Sequence, residues 1–333
     1  MEGTRRGRSW AKLLEGASLG KQLSTPYERF GPYELIELLG RGGMGEVFRA
    51  RVSGPEAAGL PPEVALKRLV DVRPDREADA DAWDDFLTEA DVAPMLRHPN
   101  LVRVYRSGVL DNTGYVVMEV VEGGDLFDLM DRRPGTPLPL PVACYLAAEM
   151  LRGLRYLHSA VGASGRPLGL VHRDLSPANV FFSASGEVKL ADLGIAQVRR
   201  FENSADERVV KGTLRYLSPE QVTGRPCSSA SDVFSVAAVI YELLAGRPAF
   251  GQEGEVKVMV AIRDGKAQDL RAVAPWVPRP LAKVVMGALR QRLWVRPRSA
   301  TRLLDLIEEV RLRFGWMRGP EQILEEVERW AAR

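Results

Sequence analysis

The chain has 333 residues, 45% hydrophobic and 27% charged, the profile of a folded globular protein and not of a disordered, fibrous or membrane-embedded one. Its 46 Lys and Arg against 44 Asp and Glu leave a formal charge of +2, so no basic excess points to a nucleic-acid partner. Cys144 and Cys227 are far apart and outside any CxxC pair, which excludes a disulfide scaffold and a zinc module and fits a reducing cytoplasm.

Taken from the start, residues 1–31 are basic and rich in Gly and Ser, with Pro26 and Pro32 near their end, and read as a weakly ordered extension with one short helix at 10–15. Arg5, Arg6 and Arg8 precede a stretch broken by Glu15 and Gly16, so the apolar core of a secretory signal is lacking and a cytoplasmic location is expected. From 33 to 121 short apolar runs dominate. Phe48, Ala50 and Val52 alternate with Arg49 and Arg51, the period-two pattern of a half-buried strand over 46–52, and similar runs follow at 63–70, 101–109 and 114–120. Trp83, Phe86, Leu87 and Ala90 recur at helical spacing, with Asp81, Asp84 and Asp85 near the helix start, where its dipole favours acids. Pro94 falls inside that pattern, removes a backbone donor and clashes one turn back at Ala90, so a kink or stop after Glu89 is expected.

Beyond Gly124 the pattern turns helical, over 142–159, 230–245, 253–263, 280–290 and 299–313, with short strands near Val180 and Val188. The run 233–244 is the most apolar, but Ser235 and Glu242 interrupt it. It falls short of the roughly 20 residues a bilayer span needs and reads as a buried core helix. A small sheet-rich part before a larger helical one predicts an α+β fold of two lobes with a ligand cleft between them.

Between two strand patterns lies Gly40-Arg41-Gly42-Gly43-Met44-Gly45-Glu46-Val47. It could be an ordinary hairpin turn using glycine for positive φ. A dinucleotide fingerprint needs a helix directly after the glycines, whereas 46–52 alternates as a strand. A strand–loop–strand flap whose backbone N–H groups approach phosphates instead predicts a lysine on the next strand. Val64-Ala65-Leu66-Lys67 supplies it. Flanked by apolar residues, Lys67 is a half-buried charge that needs a partner. Glu89 on the following helix is the candidate, with a solvated carboxylate as the plainer alternative.

His172-Arg173-Asp174-Leu175-Ser176-Pro177-Ala178-Asn179 lies between two short apolar runs, and a strand pattern ending in Asp192-Leu193-Gly194 follows. Two acids and an amide therefore meet at adjacent loop ends. Mg²⁺ takes oxygen ligands such as Asn179 and Asp192 while bridging nucleotide phosphates, and a separate carboxylate, Asp174, can orient a hydroxyl and accept its proton. Each acid alone could be structural, but their ordered occurrence with the loop and the lysine points to phosphoryl transfer.

With these motifs the sequence resembles the eukaryotic-type protein kinases over roughly 32–313, divided as a small lobe 32–120 and a large lobe 121–313, with 314–333 a helical tail. Gly212-Thr213-Leu214-Arg215-Tyr216-Leu217-Ser218-Pro219-Glu220 is similar to the segment closing a kinase activation loop, Asp232 to the aspartate that braces the catalytic loop, and Arg296 to the arginine that pairs with the glutamate of that segment, here Glu220. The resemblance implies a transfer from Mg·ATP, or Mn·ATP, to Ser or Thr of proteins. Its residues would be Lys67 on the α/β-phosphates, Glu89 orienting Lys67, Asp174 as base, and Asn179 with Asp192 on the metal. It also implies Met118 as gatekeeper, the backbones of Glu119 and Val121 as adenine hinge, and Leu39, Val47, Ala65 and Phe181 around the base. The glycine-loop residues would cover the phosphates, Asp125 would contact the ribose, and Thr213 would serve the acceptor hydroxyl. His98-Pro99-Asn100 and the GTxxYLSPEQ wording are most similar to bacterial serine/threonine kinases. Ser176 and the segment 161–167 resemble the myxobacterial branch.

Ser176 stands where serine/threonine kinases usually carry Lys, so a positive charge at the transferring phosphate is missing. Activity is expected to survive because the other five motif residues remain. Arg173 suggests an activation loop ordered by a phosphate, at Ser204, or by standing acids at Asp206 and Glu207. In the tail, Ile323, Leu324, Val327 and Trp330 form a helical stripe that packs on the large lobe or binds a partner, including a second copy. A nucleotide-binding scaffold without catalysis and a small-molecule phosphotransferase are the rival readings.

Overall fold

A computed structural model describes residues 28–42, 45–69, 83, 86, 87, 90–192, 214–251 and 254–332. Six strands build the small lobe: β1 (Arg29–Phe30), β2 (Tyr33–Gly42), β3 (Gly45–Val52), β4 (Glu63–Leu69), β5 (Val104–Leu110) and β6 (Thr113–Met118). They form one antiparallel sheet in the order β1-β2-β3-β4-β6-β5. Alternation decides its two faces. Phe48, Ala50, Val64 and Leu66 turn to a core with Phe30, Tyr33, Leu35 and Val117. Val47, Ala65 and Lys67 turn the other way, toward the cleft. The described sheet takes in residues on the extension side of the boundary expected at 31. Phe30 is buried at 8% exposure and meets Tyr115 edge-on at 5.6 Å, so β1 is part of the sheet.

The helix leading to β5 stops after Glu89 and short of Met95, as Pro94 led one to expect. Ala90, Asp91 and Val92 are helical, and the chain tightens into a 3-10 turn over Ala93–Met95. Pro94 has no N–H for the carbonyl one turn back at Ala90. The Ser107 hydroxyl donates to that carbonyl at 2.5 Å, so the freed acceptor stays satisfied.

The large lobe is helical: α1 (Leu126–Asp131), α2 (Leu140–His158), α3 (Pro219–Val222), α4 (Ser229–Ala245), α5 (Glu255–Arg263), α6 (Leu270–Val273), α7 (Arg279–Ala288), α8 (Ala300–Arg313) and α9 (Pro320–Ala331). Almost every residue of α4 is buried, as its largely apolar pattern requires of a helix covered on all sides. A second antiparallel sheet, β7 (Gly123–Asp125), β8 (Val180–Ser183) and β9 (Val188–Leu190), lies on the cleft side of α2. The His98-Pro99-Asn100 turn ties the lobes together: Asn100 donates to Val188 O at 2.9 Å and to Glu149 at 2.8 Å, and the Val102 N–H donates to Leu190 O at 2.8 Å. No described helix is long and apolar enough to cross a membrane.

The boundary expected at 313 cuts through one continuous core. Ile323 and Val327 of α9 are fully buried and Trp330 is 6% exposed, all within the large-lobe cluster. Trp330 Nε1 donates to Pro137 O at 2.9 Å, and Arg133 donates to Trp330 O at 2.6 Å while its guanidinium lies 5.2 Å from the ring centroid. The stripe read from the sequence therefore packs on the large lobe. Trp330→Ala is expected to destabilise the fold by about 3–5 kcal/mol, read as a lowered denaturation midpoint; an unchanged midpoint would show that α9 does not dock.

Candidate active site

The strand registers collect the sequence-predicted residues from both lobes. Val47 stands opposite Gly40 on one side and Lys67 on the other, Ala65 opposite Met118, and Asp125 opposite Phe181. Leu39, Val47, Met118 and Phe181 are half-buried, so they are apolar groups with a face toward the cleft, as a planar aromatic ligand needs. Met118 ends β6, and residues 119–122 lead into β7. The Glu119 N–H is used by Arg103 O at 2.9 Å, and its carboxylate accepts from the Arg103 N–H at 2.8 Å and Lys189 at 3.0 Å. Its side chain thus braces β9. Val121, like Glu119, is half-buried in that connection.

The glycine-rich segment is a hairpin with Gly42 opposite Gly45, which bears out the strand–loop–strand reading over the dinucleotide one. At Gly45, φ is +154° and a Cβ would lie 1.9 Å from Arg68 O, so no side chain fits there. Arg41 and Glu46 point into an ion cluster on the far face. Glu46 pairs with Arg41 and, at 2.9 Å, with Arg68, which also reaches Glu28 at 2.6 Å. Burial acts to raise the Glu46 carboxyl, and the two arginines outweigh it, holding the group below its usual range. Gly43 and Met44 lie outside the described residues.

Lys67 Nζ meets Asp192 Oδ1 at 2.8 Å, joining the small lobe to the end of β9. Glu89, Thr213 and Ser204 lie outside the described residues, as do Asp206 and Glu207. Asn179 donates through Nδ2 to Asp174 O at 2.7 Å and Asp174 Oδ2 at 2.9 Å. Its own carbonyl accepts from the Ala191 N–H at 2.9 Å. That bond ties the segment of Asn179 to the one carrying Asp192, and the Asn179 side-chain oxygen and the Asp192 carboxylate are hard oxygen donors of the type Mg²⁺ takes, to be completed by phosphate oxygens. Asp192 has φ +53° and Arg173 φ +65°, left-handed values that are costly for residues with a Cβ and cluster at functional sites.

Asp232, 1% exposed in the first turn of α4, accepts the His172 N–H at 2.8 Å, the Arg173 N–H at 2.9 Å and His158 Nε2 at 2.7 Å. Ser176 is 4% exposed and starts the 3-10 turn that carries Asn179, whose N–H donates to Ser176 O at 3.0 Å. A small hydroxyl suits that buried place. Glu220 and Arg296 form a buried pair at 3.1 Å, with the guanidinium 5.0 Å from the centroid of Phe234. Sequence reasoning missed three contacts around this frame. Tyr216 donates to Glu242 at 2.7 Å, Arg49 reaches Glu122 at 2.8 Å, and Gln221 donates to Arg173 O at 2.7 Å. The alternation of β3 could have placed Arg49 on the cleft face; nothing local marked the other two.

The protein kinase domain matches residues 33–305. The chain belongs to that family. Its relatives include MasK of Myxococcus xanthus, named a tyrosine-protein kinase, 32% identical over 282 residues that make up 84% of this chain and 43% of that one. PknB of Mycobacterium leprae, named a serine/threonine-protein kinase, is 36% identical over 241 residues, 71% of this chain and 36% of that one. The chain thus spans about two fifths of the length of these curated relatives. The crystal structure of the Mycobacterium tuberculosis PknI kinase domain superposes with a TM-score of 0.66 at 27% identity, covering 86% of this chain and 98% of that one.

Within this kinase domain Asp125 has a structural duty. It caps α1 by accepting the Asp128 N–H at 2.7 Å, and burial pushes its carboxyl up to about 7. Raised above its unfolded value, the group contributes stability that is full below about pH 4 and is lost as pH rises to about 7. Asn keeps the cap and does not ionise. Asp125→Asn should therefore gain stability relative to the parent between pH 4.5 and pH 7.5, and denaturation midpoints whose difference stays flat would contradict this. Arg296→Met leaves Glu220 charged and buried, an expected loss of about 3–5 kcal/mol that Glu220→Gln partly restores in the double variant; an additive double variant would sink that account.

Proposed function

We propose that this chain transfers the γ-phosphoryl group of Mg·ATP to serine or threonine hydroxyls of proteins, its own included. The observation that carries the reading is the meeting of Lys67 with Asp192 across the cleft, next to Asn179 holding Asp174. With nucleotide bound, Lys67 serves the α/β-phosphates and Asp192 and Asn179 are the residues that would hold Mg²⁺ or Mn²⁺. A metal held there would supply charge neutralisation for the nucleotide's phosphates. Asp174 orients the acceptor hydroxyl and takes its proton while that oxygen bonds to the γ-phosphorus and the bond to the ADP oxygen breaks. Glu89 orients Lys67 and Thr213 serves the acceptor side. Leu39, Val47, Ala65, Met118 and Phe181 enclose the adenine, the backbones of Glu119 and Val121 pair with it, and Asp125 meets the ribose. The site is expected to work in the cytoplasm, on protein substrates.

Transfer from labelled ATP to protein should fall at least hundredfold in Asp174→Asn. Label should appear on serine and threonine. The name of the Myxococcus relative favours a second acceptor, tyrosine, and label on phosphotyrosine alone would select it. ATP binding with transfer no greater than in Asp174→Asn would instead favour a signalling scaffold.

A further inference from the structure

We propose that Gln221 is a positioning residue for Asp174, acting through the hydrogen bond from its Nε2 to the Arg173 carbonyl. The inference rests on the phosphotransfer reading of the site. The Asp174 N–H donates to His172 O at 2.8 Å around an Arg173 whose φ is +65°. A three-residue turn with its centre in the left-handed region is rare and strained, and it persists only where its surroundings hold it. Asp232 holds the side of the turn before Arg173 through the His172 and Arg173 N–H groups at 2.8 and 2.9 Å. The next peptide carries the Arg173 carbonyl and the Asp174 N–H, and Gln221 Nε2 donates to that carbonyl at 2.7 Å. If this peptide rotates, Asp174 turns with it.

Gln221 is itself fixed. Its Oε1 accepts from the Ser218 N–H at 2.9 Å and the Ser218 hydroxyl at 3.0 Å, and its own N–H donates to Ser218 Oγ at 3.3 Å, which closes a capping box at the start of α3. The buried Glu220–Arg296 pair anchors the same short helix to the large lobe. Both ends of the side-chain amide are thus committed: the oxygen to its own helix and the nitrogen to the catalytic turn.

Two substitutions separate those ends. Gln221→Glu keeps an acceptor for Ser218 and loses the donor to Arg173. Gln221→Lys keeps a donor and loses the acceptor. With the full chain, Gln221→Glu should lower kcat tenfold or more, since displacements of about 1 Å at a reacting group cost on the order of a hundredfold. Its KM for ATP should stay within about twofold and its melting temperature near that of the parent. Gln221→Lys should keep most of kcat and melt lower. Amide hydrogen exchange over 172–175 should quicken in Gln221→Glu. A kcat equal to that of the parent in Gln221→Glu, or a Gln221→Lys as impaired as Gln221→Glu, would overturn the proposal. If the parent chain transfers no phosphate, the functional reading falls, and the exchange rates decide: faster exchange in Gln221→Glu upholds the positioning role, and unchanged exchange removes it.

Discussion

The carboxylate of Asp232 is almost completely buried at the first turn of α4, where the amino-terminal end of a helix favours negative charge. Both oxygens are in use, Oδ2 by the His172 N–H and His158, Oδ1 by the Arg173 N–H. An unpaired charge in this place would be costly, so the chain around His172 and Arg173 has to present its donors to it. That demand bends Arg173 into the left-handed region and sets the direction in which Asp174 leaves the turn. The central apolar helix is thus both the core of the large lobe and the frame of the catalytic segment.

The other buried charges follow the same logic. Arg296 donates to both oxygens of Glu220, to the carbonyl of Ala230 and to those of Arg290 and Gln291. Such a pair adds little net stability over an apolar replacement, but breaking one half leaves the other exposed to a large penalty. It therefore fixes where α3 sits relative to α4, and α3 carries Gln221 and Ser218 to the catalytic turn.

The ion pairs described between the lobes are partly exposed. Arg49 reaches Glu122 beyond the end of β6, Lys189 reaches Glu119 from β9, and Lys67 reaches Asp192. Partly exposed pairs of this kind are worth little each. The Lys67–Asp192 pair joins the lysine and the aspartate proposed for phosphate and metal. Pro94 acts at the neighbouring junction. It stops the α-helical ladder behind Glu89, and Ser107 compensates the carbonyl that proline cannot serve.

Periodicity sufficed for most elements. The run 46–52 alternates because one face of β3 is buried, and 230–245 is largely apolar because α4 is covered on all sides. The motif residues Lys67, Asp174, Asn179 and Asp192 were legible because each chemical task demands a particular residue type in chain order. The apolar stripe of α9 was legible too, and of its two readings the packed structure took the one on the large lobe. The small-lobe edge at Phe30 was not, since a two-residue strand shows its partner only when packed. Nor was Gln221: in the sequence it is one polar residue after a proline and a glutamate, and its hydrogen bond spans 48 positions. The sequence by itself determined the two lobes and the motif residues that make up the candidate site, through local pattern and residue type. Asp232 was already marked by resemblance as the brace of this segment; the tertiary structure alone decided that Gln221 also holds the strained turn at Arg173, because that bond joins segments that only the folded core brings within 3 Å.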